Sequence, residues 1–133
     1  MGVWGVTTLS DSQGLRVLVV EDEAMVVMLI EDMLADIGCV MAGTAARVED
    51  ALDAIAAGGF DCALVDMNLD GQPAHAVADA LRAAGKPFAY ATGYGEPDLR
   101  EGDRGVPVLN KPFREGELAA VLRGLGSSET AQH

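Results

Sequence analysis

The chain has 133 residues, half of them hydrophobic, which suits a single domain and leaves no room for a separate effector unit. Nine Lys and Arg against 21 Asp and Glu leave a net charge of −12, which repels nucleic-acid backbones and anionic lipid, so direct DNA binding is not expected. The longest apolar run, Ala24 to Ile30, stops at Glu31, far short of the roughly 20 residues that cross a bilayer. No positive charge precedes Arg16, so a secretory signal is unsupported and a cytoplasmic location is expected.

Residues 1–14 mix Gly, Ser and Thr without a period, and 126–133 are small and polar; both read as flexible tails around a folded unit over 15–125. Arg16 to Val20 ends in a continuous apolar run, the pattern of a central strand covered on both faces. Val26, Leu29, Ile30, Met33, Leu34 and Ile37 then fall on one helical face, with Glu31, Asp32 and Asp36 opposite and Gly38 placed to end the helix. Met25, Met28 and Met33 read as packing in that helix. Cys39 to Ala42 is a short strand, followed by a helix with Val48, Leu52 and Ile55 inward until Gly58 and Gly59. Cys62 to Val65 is a third strand, and Cys39 and Cys62 read as small buried hydrophobes rather than a disulfide.

Pro73 suits the first turn of a helix carrying Val77 and Leu81, with His75 as a surface residue near its start. Pro87 to Ala91 and Val106 to Leu109 are the fourth and fifth strands, and Leu118, Val121, Leu122 and Leu125 mark the last helix. Between them, Gly93, Gly95, Gly102, Gly105 and Pro97 surround Leu99, the segment's only large aliphatic residue. That composition predicts a loop or one frayed turn in place of a full fourth helix, and the most mobile part of the domain. Strands alternating with helices imply an α/β fold with a parallel five-stranded sheet, right-handed crossovers and helices on both faces.

Ligands of open parallel sheets bind beyond the carboxyl ends of the strands. The residues there are Glu21 and Asp22 after the first strand, Asp66 after the third, Thr92 after the fourth, and Asn110 and Lys111 after the fifth. Taken alone, Glu21 and Asp22 would suit the start of a helix. Carboxylates about 5 Å apart at an effective dielectric near 20 repel by roughly 3 kcal/mol per pair, and Lys111 offers only one compensating charge. Hard oxygen donors call for Mg²⁺, or Mn²⁺ in its place. With a cation and an ammonium beside it, Asp66 can attack a phosphoryl group, Lys111 and Thr92 stabilising the oxygens of the resulting aspartyl phosphate.

Val-Leu-Val-Val-Glu-Asp-Glu at 17–23, Leu-Val-Asp-Met-Asn at 64–68, Ala-Thr-Gly at 91–93 and Asn-Lys-Pro-Phe at 110–113 together resemble a response regulator receiver domain over residues 15–125. The resemblance implies a three-layer, flavodoxin-like (βα)5 fold with strand order 2-1-3-4-5 and a cis Lys111–Pro112 bond. It implies a signalling protein rather than an enzyme, with transfer of phosphate to Asp66 from a histidine kinase or a histidine phosphotransfer protein. Mg²⁺ would be held by Glu21, Asp22, Asp66 and the Asn68 carbonyl, and Lys111 and Thr92 would engage the phosphoryl group. With no effector domain expected, output would be binding to an unknown downstream protein or onward phosphotransfer; the alternative is a module of the same fold that no longer takes phosphate.

Pro-Phe-Ala-Tyr-Ala-Thr-Gly-Tyr at 87–94 is similar, more narrowly, to the signature of the single-domain receivers nicknamed FATGUY, with Tyr90 in the Phe position. Two positions depart from common receivers: Val108 stands where many carry a switch Tyr or Phe, and Asp70 where a proline often follows the acceptor. Tyr90 and Tyr94, which bracket Thr92, are the candidates to replace the missing aromatic.

Overall fold

Strand β1 (Arg16–Val20) lies inside the sheet, between β2 (Val40–Ala45) and β3 (Cys62–Asp66), in a computed structural model that describes residues 14–93 and 99–131. Strand β6 (Phe88–Thr92) pairs with β3, and β7 (Val108–Asn110) closes the far edge. Every pairing in this sheet is parallel and the order is β2-β1-β3-β6-β7. Without the two short strands of a separate hairpin, this is the expected 2-1-3-4-5 order.

Among the described residues, four helices cover the sheet: α1 (Ala24–Ile37), α2 (Val48–Ala57), α3 (His75–Ala83) and α4 (Glu115–Ala131). Because side chains alternate across a strand, Leu18, Val20, Ala63, Val65, Phe88 and Tyr90 pack toward α2 and α3 around Ile55, Val77 and Leu81. Val17, Val19, Cys62, Leu64, Ala89 and Ala91 pack on the other face, toward Ile30 and Leu34 of α1 and Leu118 and Leu122 of α4. Two covered faces are why β1, β3 and β6 read as unbroken apolar runs. Gly38 ends α1 at φ 95°, where its N–H reaches the Leu34 and Ala35 carbonyls.

The structure corrects several expectations. Pro73 is not inside a helix: Gln72–Pro73 (β5) pairs antiparallel with Asn68–Leu69 (β4), and α3 starts only at His75. The turn between them is Asp70-Gly71, with φ of 52° and 86°, the left-handed pair that a tight two-residue hairpin requires. Met25, Met28 and Leu29 are exposed, since the α1 stripe is carried by Ile30 and Leu34, with Val26, Met33 and Ile37 partly buried.

Helix α4 runs to Ala131, beyond Leu125, the last residue of its apolar spacing, because extending a nucleated helix adds one hydrogen bond per residue without a new nucleation cost. The described part of the segment between β6 and β7 holds one 3₁₀ turn, Glu101–Asp103, in keeping with a single turn in place of a helix. Asp103 is nevertheless buried, which the glycine content did not suggest. Tyr94 and the tail residues 1–13 lie outside the described residues.

Candidate functional site

The carboxyl ends of β1, β3 and β7 bring charge to one place. Backbone register aligns Val20 with Val65 and Asp66 with Ala91, so Glu21, Asp66 and Thr92 emerge at neighbouring strand ends. Oxygens of Glu21, Asp22 and Asp66 lie within 4.8 Å of one another, and no other group of three or more possible metal ligands occurs among the described residues. Asp22, Asp66, Asn68 and Lys111 line a single cleft of about 840 Å³, whose apolar wall is Val26, Leu29, Ile30, Pro112 and Phe113.

Lys111 Nζ donates to Glu21 Oε1 at 2.8 Å and to Asp66 Oδ2 at 3.1 Å. Its backbone N–H donates to the Thr92 carbonyl at 2.7 Å, which ties the lysine to the end of β6. The bond to Pro112 that follows is cis, as expected. Glu21 Oε2 accepts from the Glu23 N–H at 3.1 Å, so both of its oxygens are engaged within the chain, each keeping a lone pair for a further partner. Asp66 Oδ1 accepts from the Asn68 N–H at 3.1 Å, and Asn68 Oδ1 accepts from the Gly71 N–H at 2.9 Å. The small hairpin thus fixes the chain immediately after Asp66, which the Asp-Gly pair signals to a reader looking for a tight turn.

Burial, with the Asp66 charge adding to it, pushes the Glu21 carboxyl up to about 7 against the opposing Lys111. Burial works to lower the Lys111 pKa, but its bonds to Glu21 and Asp66 prevail and leave it raised. One ammonium therefore does not neutralise this cluster. A donor set of carboxylate oxygens fits a hard divalent cation such as Mg²⁺ or Mn²⁺.

Of the residues expected at the site, Glu21, Asp22, Asp66 and Lys111 are brought together, and Asn68 joins them on the cleft wall. Thr92 is buried at the end of β6. Helix-start His75 is exposed, away from the cleft lining. A second charged group was not anticipated. Asp103 accepts from Arg82 Nη2 at 2.6 Å, Arg100 Nε at 2.9 Å and Tyr90 Oη at 3.0 Å. Its partners come from α3, from β6 and from its own turn, so no short-range pattern announces it.

The family model of the response regulator receiver domain matches residues 17–123. SdrG from Sphingomonas melonis Fr1, a solution structure, is 36% identical, with 86% of this chain and 97% of that one covered and a TM-score of 0.75. The BeF3-activated conformation of SdrG from Pseudomonas melonis Fr1 is also 36% identical, covering 81% of this chain and 98% of that one, with a TM-score of 0.68. The response regulator PhyR from Brucella abortus is 28% identical, with a TM-score of 0.77; 92% of this chain covers 53% of PhyR, so the chain spans about half of that longer protein. No curated protein matches the chain. With that match over most of its length and the acidic strand ends in place, the chain belongs to the response regulator receiver domain family of two-component signalling.

Proposed function

We propose that this receiver takes a phosphoryl group on Asp66 from a histidine kinase or a histidine phosphotransfer protein. The observation that carries this reading is the Lys111 ammonium bridging Glu21 and Asp66 at the rim of an open cleft. A carboxylate oxygen of Asp66 attacks phosphorus as the bond from phosphorus to the donor's imidazole nitrogen breaks. The nitrogen leaves with the electron pair, and the ring is released as neutral imidazole because one proton, carried on its other nitrogen or taken from water, offsets that pair. Lys111 is within reach of the new phosphoryl oxygens, and the Thr92 hydroxyl, at the neighbouring strand end, supplies a second contact.

Glu21, Asp22, Asp66 and the Asn68 carbonyl would hold Mg²⁺ or Mn²⁺, which supplies charge neutralisation between the carboxylates and the incoming phosphoryl group. Lys111 and the Glu23 N–H fix the two oxygens of Glu21, whose remaining lone pairs would face the cation. The chain's role is signalling by protein binding or onward phosphotransfer, in the cytoplasm, with a surface charge that opposes nucleic acid. The Pro87–Tyr94 stretch is what supports placing it with the FATGUY receivers.

Incubating the protein with Mg²⁺ and a small-molecule phosphodonor tests the reading by intact mass. One phosphoryl group is expected on the wild type and on Asp61→Asn, and none on Asp66→Asn. An unmodified wild type overturns it and leaves a receiver-like module that acts by docking alone.

A further inference from the structure

Outside the acidic pocket, Asp103 is the one buried charged residue among those described. A buried carboxylate persists only when its hydrogen bonds are satisfied, and Asp103 draws its donors from three places. Arg82 reaches it from α3, Tyr90 from β6 and Arg100 from the start of the turn itself. The turn Glu101–Asp103 is thereby fastened to the sheet and to α3.

Both arginines have a second acceptor. Arg100 Nη2 lies 2.9 Å from Asp79 Oδ1, and Arg82 Nη1 lies 3.5 Å from the same oxygen. Asp79 sits on α3, is mostly exposed, and stays in place if the turn moves. Withdrawal of Asp103 therefore strands no cation: both guanidinium groups remain paired and the freed carboxylate enters water. A second set of partners open to the same groups is what a switching element requires. Tyr90 is the member that loses its partner on withdrawal, and it precedes Thr92 by two residues on the same strand, so both side chains stand on one face of the sheet. Its cross-strand neighbour in register is Val108, which has no polar atom in its side chain to replace Asp103.

We propose that the Asp103 turn is a two-position latch, docked on Tyr90, Arg82 and Arg100 or released with both arginines on Asp79, and that a phosphoryl group at Asp66 shifts it toward release through Thr92 and Tyr90 on β6. The latch rests on the reading of Asp66 as the acceptor. Its docked form also holds the Val106 N–H on the Asp103 carbonyl at 3.0 Å, a bond whose protection reports the state of the turn.

The test is amide exchange by NMR on the full chain, with and without Mg²⁺ plus beryllofluoride as the phosphoryl stand-in. In the wild type, resonances of Gly93 and Lys111 should shift and exchange at Val106 should speed up at least about threefold. Tyr90→Phe should exchange fast at Val106 before any addition, and the surface variant Asp79→Asn, whose neutral amide is a weaker partner for the two arginines, should respond less than the wild type. Shifted pocket resonances with unchanged Val106 exchange in the wild type overturn the latch and leave the acceptor reading standing. Pocket resonances that do not move overturn both. Should Tyr90→Phe fail to fold, the wild-type and Asp79→Asn arms decide the matter alone.

Discussion

Lys111 and Asp66, 45 residues apart in the chain, meet at 3.1 Å because β7 and β3 end at the same rim of the sheet. The same ammonium holds Glu21, so removing it leaves neighbouring carboxylates facing each other without their cation. Loss of one partner from a buried pair costs 3–5 kcal/mol; this pair borders an open cleft, which lowers the expectation for Lys111→Met to about 1–3 kcal/mol. Urea unfolding should show that loss in EDTA and a smaller one in excess Mg²⁺. An equal loss in both would mean that the cation does not share the pocket with Lys111.

Saturating metal should stabilise the protein by mass action, by about 2.7 kcal/mol at a hundredfold excess over the dissociation constant. Thermal unfolding in Mg²⁺ against EDTA reads the effect directly. Asp22→Asn and Asp66→Asn should each lose most of the gain, while Asp61→Asn, paired with Arg16 at the start of β1, should keep it. A full gain in the first two variants would place the cation elsewhere.

The acidic pocket was legible in the sequence because it is built from strand ends, and buried strands announce themselves as apolar runs. Once Val17–Val20, Cys62–Val65 and Phe88–Ala91 are read as strands of one parallel sheet, the residues following them have nowhere else to be. The hairpin at Asn68–Pro73 was also encoded, in Asp70-Gly71, but Pro73 suggested a helix start equally well and that reading was mistaken. The exposure of Met25, Met28 and Leu29 was hidden because α1 is apolar on more than one face, so periodicity alone does not choose which side packs. Asp103 was illegible for a different reason. Its burial depends on Arg82 and Tyr90, distant in the chain, and a carboxylate in a Gly-rich stretch looks like a solvated loop residue.

Gly38 adopts φ 95° at the end of α1, where a side chain is strained whatever space surrounds it. Gly38→Ala should lower the unfolding free energy by about 1–2 kcal/mol without altering phosphorylation at Asp66. Gly105 has open space where a Cβ would stand and no positive φ, so Gly105→Ala should be neutral or slightly stabilising. Equal effects at the two positions would refute the left-handed cap as the cause.

Asp103 supplies the pH dependence that follows most directly from the structure. Burial opposes its ionised form, but hydrogen bonds from Arg100, Arg82 and Tyr90 outweigh the burial and hold the carboxyl below its ordinary value. The same contact, added to burial, pushes the Tyr90 phenol up to about 12, so Tyr90 remains a donor across the neutral range. A carboxyl whose pKa falls on folding binds its proton more tightly in the unfolded chain. Its stabilisation is complete above the unfolded value, near 3.9, and is lost as pH falls through the folded one. Urea midpoints measured from pH 7 down to pH 2 should therefore drop less steeply below pH 4 for Asp103→Asn than for the wild type. At pH 7 that variant should be the less stable of the two, since a neutral amide faces two guanidinium groups. Parallel acid limbs in the two proteins would show that Asp103 does not titrate below its unfolded value, and that the arginines are satisfied by Asp79 alone.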